Sequence, residues 1–151
     1  MEKNHLDFMG IALIEAQNAF LENEVPVGAV IVKNGALIAK SHNKVVADLS
    51  VSSHAEINVI QAASAVLKNY RLVNCDLYVT VEPCHMCAKA IVDARIKHLY
   101  FGCLEPKSGA IQSVDRLFDR DFLNHRPQFT GGICSTESAI LLKKFFQEKR
   151  K

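Results

Sequence analysis

The chain alternates between short runs of β-branched residues and helix-like segments of about a dozen residues, and no other feature restricts its fold more. The runs VGAVIV and ALIAKSH flank Asn34-Gly35, a dipeptide that accepts positive φ at both positions and predicts a two-residue hairpin turn. We therefore expect strands at about 27–33 and 36–42. Three further strands are predicted at about 75–81, 97–103 and 128–133.

Helices are predicted before, between and after these strands. Apolar residues recur at spacings of three and four over residues 5–22, which indicates an amphipathic helix with one buried face. The residues of that face are Leu6, Met9, Leu13, Ala16 and Phe20. Further helices are expected at about 54–67, with Ser52 and Ser53 as caps, at about 84–94, with Pro83 at the first helical position, and from Ser135 into the basic tail.

Strands joined by helical crossovers pair in parallel, so the expected fold is an α/β protein: a three-layer α/β/α sandwich around a mixed five-stranded sheet. Residues 1–151 are long enough for one domain, and we expect a single one. No apolar run approaches the roughly 18 residues of a membrane helix, and the N-terminus has no signal-peptide pattern. A cytoplasmic location and five reduced cysteines are the corresponding expectations.

Charge is distributed unevenly, although the net charge is only +2. Residues 1–88 contain 6 Lys/Arg and 9 Asp/Glu, whereas residues 89–151 contain 12 and 7. The end of the chain, LLKKFFQEKRK, combines basic residues with two phenylalanines. This segment is typical of a phosphate-contacting surface and equally of a solvated helix end.

Cys84 and Cys87 stand three apart directly after Pro83. Taken alone, such a pair indicates half of a metal site, a redox couple or two small core residues. His54 and Glu56, at the start of another predicted helix, favour the metal site. His54, Cys84 and Cys87 make three ligands of the kind that zinc prefers, and three protein ligands leave the fourth position open, as in catalytic zinc sites.

Glu56 can supply the proton acceptor that such a site needs, since a carboxylate beside water activated by zinc can accept its proton. The order H-x-E, then 26 residues, then P-C-x-x-C is the pattern of zinc-dependent nucleobase deaminases. The pattern as a whole is far more specific than either half. Glu56 also disfavours a non-catalytic zinc module or RNA-binding scaffold, which would need no proton shuttle.

The sequence further resembles the bacterial tRNA adenosine deaminases, which convert adenosine to inosine at the anticodon wobble position. Beyond HAE and PCHMC, the resemblance includes VPVGAV, NYRL, LYVTVEPC, KSGA and NHRPQFTGGI, and it covers nearly the whole chain. It implies a cytidine-deaminase-like sandwich, one Zn²⁺ per subunit, a homodimer and a tRNA anticodon stem-loop as partner.

Individual roles follow from the resemblance at matching positions. It makes His54, Cys84 and Cys87 the zinc ligands and Glu56 the catalytic proton shuttle. It places Asn43 and Val27 at the target base, although Asn43 is also compatible with a plain strand end. The other RNA-contacting positions that it implies are Lys107, Ser108, Asn124, His125, Arg126, Phe145, Phe146, Lys149 and Arg150. For at least one of the two phenylalanines, packing onto the sheet is the favoured interpretation.

Two departures from the family pattern stand out. Glu105 replaces an aspartate in the loop after FG, and SVSS replaces Asp-Pro-Thr-Ala before HAE. His85, between the cysteines, is predicted to face away from the metal.

The alternative enzyme is a zinc deaminase of a free base or nucleotide, of the guanine or cytosine type, because such deaminases have the same zinc motif.

Overall fold

The computed structural model describes residues 3–149, so Arg150 lies outside the described residues. Its helices and strands, in chain order, are α1 (His5–Leu21), β1 (Gly28–Lys33), β2 (Ala36–His42), α2 (Val45–Asp48), α3 (Ala55–Leu67), β3 (Cys75–Val81), α4 (His85–Asp93), β4 (His98–Cys103), a 3₁₀ turn (Leu117–Asp119), β5 (Gln128–Thr130) and α5 (Ser135–Lys149). All five predicted strands are present, and β5 is shorter than expected because it ends before Gly131-Gly132.

The five strands form one mixed sheet in the order β2-β1-β3-β4-β5. The hairpin turns at Asn34 and Gly35, which have φ of 52° and 78° as the dipeptide predicts. β1 also pairs antiparallel with β3, whereas β3, β4 and β5 are mutually parallel. The carboxyl ends of β3 and β4 therefore meet at one edge of the sheet, the position where α/β folds place ligands.

Helices cover both faces of the sheet, which confirms the three-layer arrangement. The larger apolar core lies between the sheet and α3 and α4, and includes Val59, Leu77, Ile91 and Phe101. A smaller core lies under α1 and includes Met9. Among residues 3–149, no helix is long and apolar enough to cross a membrane.

The buried face of α1 differs from the predicted one. Leu6 is exposed, whereas the small residues Ala12, Ala16 and Ala19 are fully buried against the sheet. The reason is the close approach of α1 to Gly28 at the start of β1. A methyl group built on Gly28 would lie 2.0 Å from the carbonyl oxygen of Ala12. Small residues therefore lie where α1 crosses Gly28, while Met9 and Ala16 of the predicted face are buried as expected.

Helices α3 and α4 start within one residue of the predicted positions, but the residues predicted to cap or open them are wrong. The N-cap of α3 is His54, while the hydroxyl of Ser53 bonds instead to the side chains of Asp48 and Asn58. The N-cap of α4 is Cys84, so Pro83 lies one residue before the cap and not at the first helical position. The short α2 and the 3₁₀ turn were not expected, since segments of 4 and 3 residues have no measurable periodicity.

The contact between α1 and β1 can be tested by adding one methyl group. We expect Gly28→Ala to lower the free energy of unfolding by about 3 kcal/mol, because the added carbon collides with backbone atoms that move only if α1 moves. Gly10→Ala, in α1 itself, is the matched control: it meets no heavy atom within 4 Å and should raise the free energy of unfolding by about 0.5–1 kcal/mol. Urea denaturation followed by circular dichroism measures both, and equal effects would contradict the close packing.

Candidate active site

Two helix N-termini bring the predicted metal ligands together. His54 is the N-cap of α3 and Cys84 is the N-cap of α4, with Cys87 one turn further along. The Nδ1 atom of His54 lies 3.7 Å from Sγ of Cys84 and 3.3 Å from Sγ of Cys87. The three ligand atoms all lie within 4.8 Å of one another.

This spacing fits a zinc ion. Zinc binds imidazole nitrogen at about 2.0–2.1 Å and thiolate sulfur at about 2.3 Å, so tetrahedral ligands lie roughly 3.5–3.8 Å apart. The two nitrogen–sulfur separations, 3.3 and 3.7 Å, are close to that range. Nδ1 of His54 is the ring nitrogen that faces both sulfurs. The donor set of one imidazole and two thiols also suits zinc in softness.

Hydrogen bonds among His54, Cys84 and Cys87 favour the thiolate form of Cys84. A hydrogen bond from the Cys87 thiol, assisted by His54, lowers the pKa of Cys84 to about 4. The same bond, together with burial, raises the pKa of Cys87. Hydrogen bonding to Cys84 in turn raises the pKa of His54. A cation between the sulfurs would favour the thiolate form of both cysteines.

Glu56 lies in the first turn of α3, directly beside these ligands, and is almost completely buried. Burial raises the pKa of Glu56 from 4.5 to about 7, and the negative charge of Cys84 acts in the same direction. A carboxyl group that titrates near neutral pH can both accept and return a proton. The arrangement therefore pairs a metal site with a general acid/base.

A cleft of about 620 Å³ opens above the metal ligands. His54, Glu56 and Cys84 lie at its base. Its walls include six of the predicted base or RNA contacts: Val27, Asn43, Ser108, Phe145, Phe146 and Lys149. Phe145 is buried and packs edge-to-face on Phe20, with 5.9 Å between ring centroids, whereas Phe146 remains 46% exposed. Phe145 is thus the packing residue of the two.

Asn43 performs the capping that was expected of Ser52 and Ser53. Its side-chain oxygen accepts a hydrogen bond of 2.7 Å from the backbone N–H of Ala55, the first residue of α3. This bond fixes the amide plane of Asn43 next to His54 and Glu56. Asn43 therefore positions the helix that carries two site residues, and it also faces the cleft.

The remaining predicted contacts lie outside this cleft. Lys107 is exposed in the loop that follows β4. Asn124 is exposed in the segment before β5. His125 and Arg126 line a second cleft, next to the amino ends of β3 and β4, which is the opposite end of the sheet. Their side chains bond to backbone carbonyls there: His125 to Ile96 at 2.7 Å, and Arg126 to Arg120 at 2.8 Å.

Glu82, which sequence reasoning missed, organises the loop beside the metal ligands. Its buried carboxylate accepts hydrogen bonds from the backbone N–H groups of Glu105, Ile111, Gln112 and Ser113 and from the Ser113 hydroxyl. Burial alone would raise the pKa of Glu82, but these bonds outweigh burial and lower it. The only sequence signal was an acidic residue at the end of an otherwise apolar strand.

Glu24 has a similar structural role on the other side of the cleft and was also missed. Its buried carboxylate accepts hydrogen bonds of 3.0 and 2.9 Å from the N–H groups of Val46 and Ala47. These bonds hold the start of α2, and Val46 lines the cleft together with Glu24. His85 contacts Asp115 at 2.9 Å and is not one of the metal-ligand group, as predicted.

Comparison with known proteins agrees with this geometry. A family model described as MafB19-like deaminase matches residues 3–150. The tRNA-specific adenosine deaminase of Agrobacterium fabrum is 47% identical over 149 residues, which cover 99% of this chain and 97% of that protein.

Two solved structures bear on the same point. One, from work on A-to-I editing by tRNA:A34 deaminases at the wobble position of transfer RNA, is 47% identical with a TM-score of 0.88 and covers 89% of this chain and 98% of its own. A guanine deaminase from Bacillus subtilis is 31% identical with a TM-score of 0.66, over 98% of this chain and 94% of that one. By fold, ligand set and similarity over nearly its whole length, the chain belongs to the family of tRNA-specific adenosine deaminases, among the MafB19-like deaminases.

Proposed function

We propose that this protein hydrolytically deaminates adenosine to inosine at the wobble position of a tRNA anticodon loop. The observation that carries the proposal is the buried Glu56 beside His54, Cys84 and Cys87 at the base of an open cleft. The relative from Agrobacterium fabrum supports the choice of tRNA, because it is 47% identical, against 31% for the guanine deaminase of Bacillus subtilis.

His54, Cys84 and Cys87 would hold a zinc ion, which when bound activates water for attack at C6 of adenine. Glu56 takes a proton from the attacking water and delivers it to N1 of the base. Glu56 then takes the second proton from the hydroxyl group now on C6 and passes it to the departing amino group, so that ammonia leaves and the C6 carbonyl of inosine remains. Its pKa of about 7 suits a group that must both accept and donate within one cycle.

Asn43 and Val27 orient the base. The side-chain oxygen of Asn43 is already used by the N–H of Ala55, so its amide nitrogen is the atom that can donate to an acceptor on the purine. Val27 offers an apolar wall on the same side of the cleft. Together they favour a base held edge-on to Asn43, with its C6 towards Glu56.

The rim of the cleft suits RNA. Phe146 is half-exposed on α5 and can stack on a neighbouring base, and Lys149 at the end of α5 can contact a phosphate. Ser108 borders the other side, Lys107 precedes it in the exposed loop after β4, and Arg150 follows Lys149 in the sequence. A loop base is already unpaired, so its extrusion into the cleft costs little free energy.

We further propose that the enzyme is a cytoplasmic homodimer. The loop after α2 supports a second copy, because Leu49 and Val51 expose 92% and 86% of their surfaces beside the cleft-lining residue Val46. Val46 is also exposed, so three apolar side chains lie close together on this segment, and exposed apolar residues that cluster mark a contact surface. The family resemblance supplies the choice of an identical partner.

The substrate can be tested directly. The zinc-loaded protein should form inosine in an anticodon stem-loop that carries adenosine at the wobble position, and should leave adenine, guanine and cytosine unchanged. Mass spectrometry of the digested RNA measures the product. Deamination of a free base without deamination of the stem-loop would contradict the proposal and establish the alternative enzyme.

The role of Glu56 can be separated from metal binding. We expect Glu56→Gln to retain zinc and to bind the stem-loop, but to lose a factor of at least about 10² in kcat, because an amide cannot accept and return the proton. Metal analysis and single-turnover kinetics make the two measurements. Full turnover by the variant would refute the proton-shuttle role, and loss of zinc would show that Glu56 holds the metal site together.

Glu82 should matter through the loop that it holds. We expect Glu82→Gln to lower the free energy of unfolding by about 3 kcal/mol, because an amide satisfies fewer of the converging N–H donors. Hydrogen exchange at Gln112 and Ser113 should accelerate. Glu105→Gln is the matched control, since among residues 3–149 that carboxylate accepts a hydrogen bond only from Lys107, in its own exposed turn. Similar exchange rates in the two variants would contradict the role of Glu82.

A further inference from the structure

The second cleft concentrates positive charge at the end of the sheet opposite the active site. It has a volume of about 470 Å³, and Arg71, Arg95, Lys97, His125 and Arg126 line it. No carboxylate contributes to its lining within the described part of the chain. Among residues 3–149, neither the lysine nor any of the three arginines that line this cleft forms an ion pair. So many unpaired cations in one concave surface favour an anionic ligand.

Three of these side chains are held in place by the fold. Arg95 donates to the carbonyl of Val92 at 3.1 Å, His125 donates to Ile96, and Arg126 donates to Arg120. Carbonyl partners fix these side chains without neutralising the charge of the two arginines. Within residues 3–149, the side chains of Arg71 and Lys97 make no hydrogen bond, and both are exposed. The cleft therefore combines preorganised cations with two that are free to reach a ligand.

The position of the cleft relative to the active site follows from β3. This strand runs from Cys75, next to the second cleft, to Val81, next to the active-site cleft, over 7 residues. At about 3.3 Å per residue, the two clefts lie roughly 20 Å apart. A nucleotide bound at Glu56 cannot reach both clefts, but the backbone of a hairpin that continues from the loop into a stem can.

We propose that the second cleft binds backbone phosphates of the stem of the RNA hairpin whose loop base enters the active site. This inference rests on the proposed function, because it takes an RNA hairpin as the substrate. It also assigns His125 and Arg126 to the stem, away from the loop nucleotides. Phosphate contacts of this kind position an RNA and contribute affinity without reading its sequence.

Removing the two free cations tests the proposal. The double variant Arg71→Gln/Lys97→Gln should bind a hairpin with a full-length stem about 10-fold or more weakly in low salt. The slope of log K against log salt should fall by about 2, since two phosphate contacts are lost. KM should rise, while kcat at saturating RNA should stay unchanged, because neither residue touches the reacting base.

Two controls make the result specific. Lys3→Gln/Lys40→Gln removes the same charge from exposed lysines that line neither cleft and, among residues 3–149, form no ion pair, so it should leave the affinity and slope nearly unchanged. A hairpin whose stem is cut back to its closing base pairs should bind the cleft variant and the wild-type protein alike, because it does not extend roughly 20 Å from the active site.

Several outcomes would overturn the proposal. One is an unchanged affinity and slope for the full-length stem, and another is an equal loss with both hairpins. A change of sedimentation coefficient in the cleft variant would identify the cleft as a contact between copies of the chain. Failure of the proposed function is distinguishable, because wild-type protein would then form no inosine, whatever the behaviour of the cleft variant.

Discussion

The active site depends on two helices that begin at the same place. His54 is the N-cap residue of α3 and Cys84 is the N-cap residue of α4. The N-termini of the two helices meet at the carboxyl edge of the sheet. His54 is thereby placed beside Cys84 and Cys87, which follow it by 30 and 33 residues in the chain. The N-terminal ends of both helices also favour a thiolate over a thiol. The side chain of Asn43, which accepts the N–H of Ala55, sets where α3 begins and so where His54 and Glu56 lie.

Three buried glutamates surround the cleft, and their hydrogen bonds decide what each of them does. Glu82 and Glu24 accept hydrogen bonds from backbone N–H groups and hold loops in place. The pKa of Glu82 is accordingly lowered, whereas burial raises that of Glu56 to about 7. When the surroundings of two carboxyl groups move their pKa values apart in this way, one group can have a structural role and the other an acid/base role. The position of Glu56 beside the metal ligands makes it the chemical member of the set.

Sequence periodicity and motif spacing were enough to predict the strands, the long helices and the grouping of His54, Cys84 and Cys87. They failed where a tertiary contact overrode the local pattern. The buried face of α1 is set by close approach to Gly28, which no spacing within α1 reveals. The bonds of Glu82 reach residues 23 to 31 positions away, so a single acidic residue after a strand does not disclose them. His125 and Arg126 were grouped with the other RNA-contacting positions, but their place at the far end of the sheet follows only from the topology.

The proposed reaction requires His54, Cys84 and Cys87 to hold a catalytic zinc ion with one position left for water or substrate. X-ray absorption at the zinc edge of the purified protein, combined with metal stoichiometry, tests it most directly. The predicted result is one zinc per chain with two sulfur ligands at about 2.3 Å and two nitrogen or oxygen ligands at about 2.0–2.1 Å. A shell of three or four sulfurs, or a protein that retains no zinc, would contradict the account.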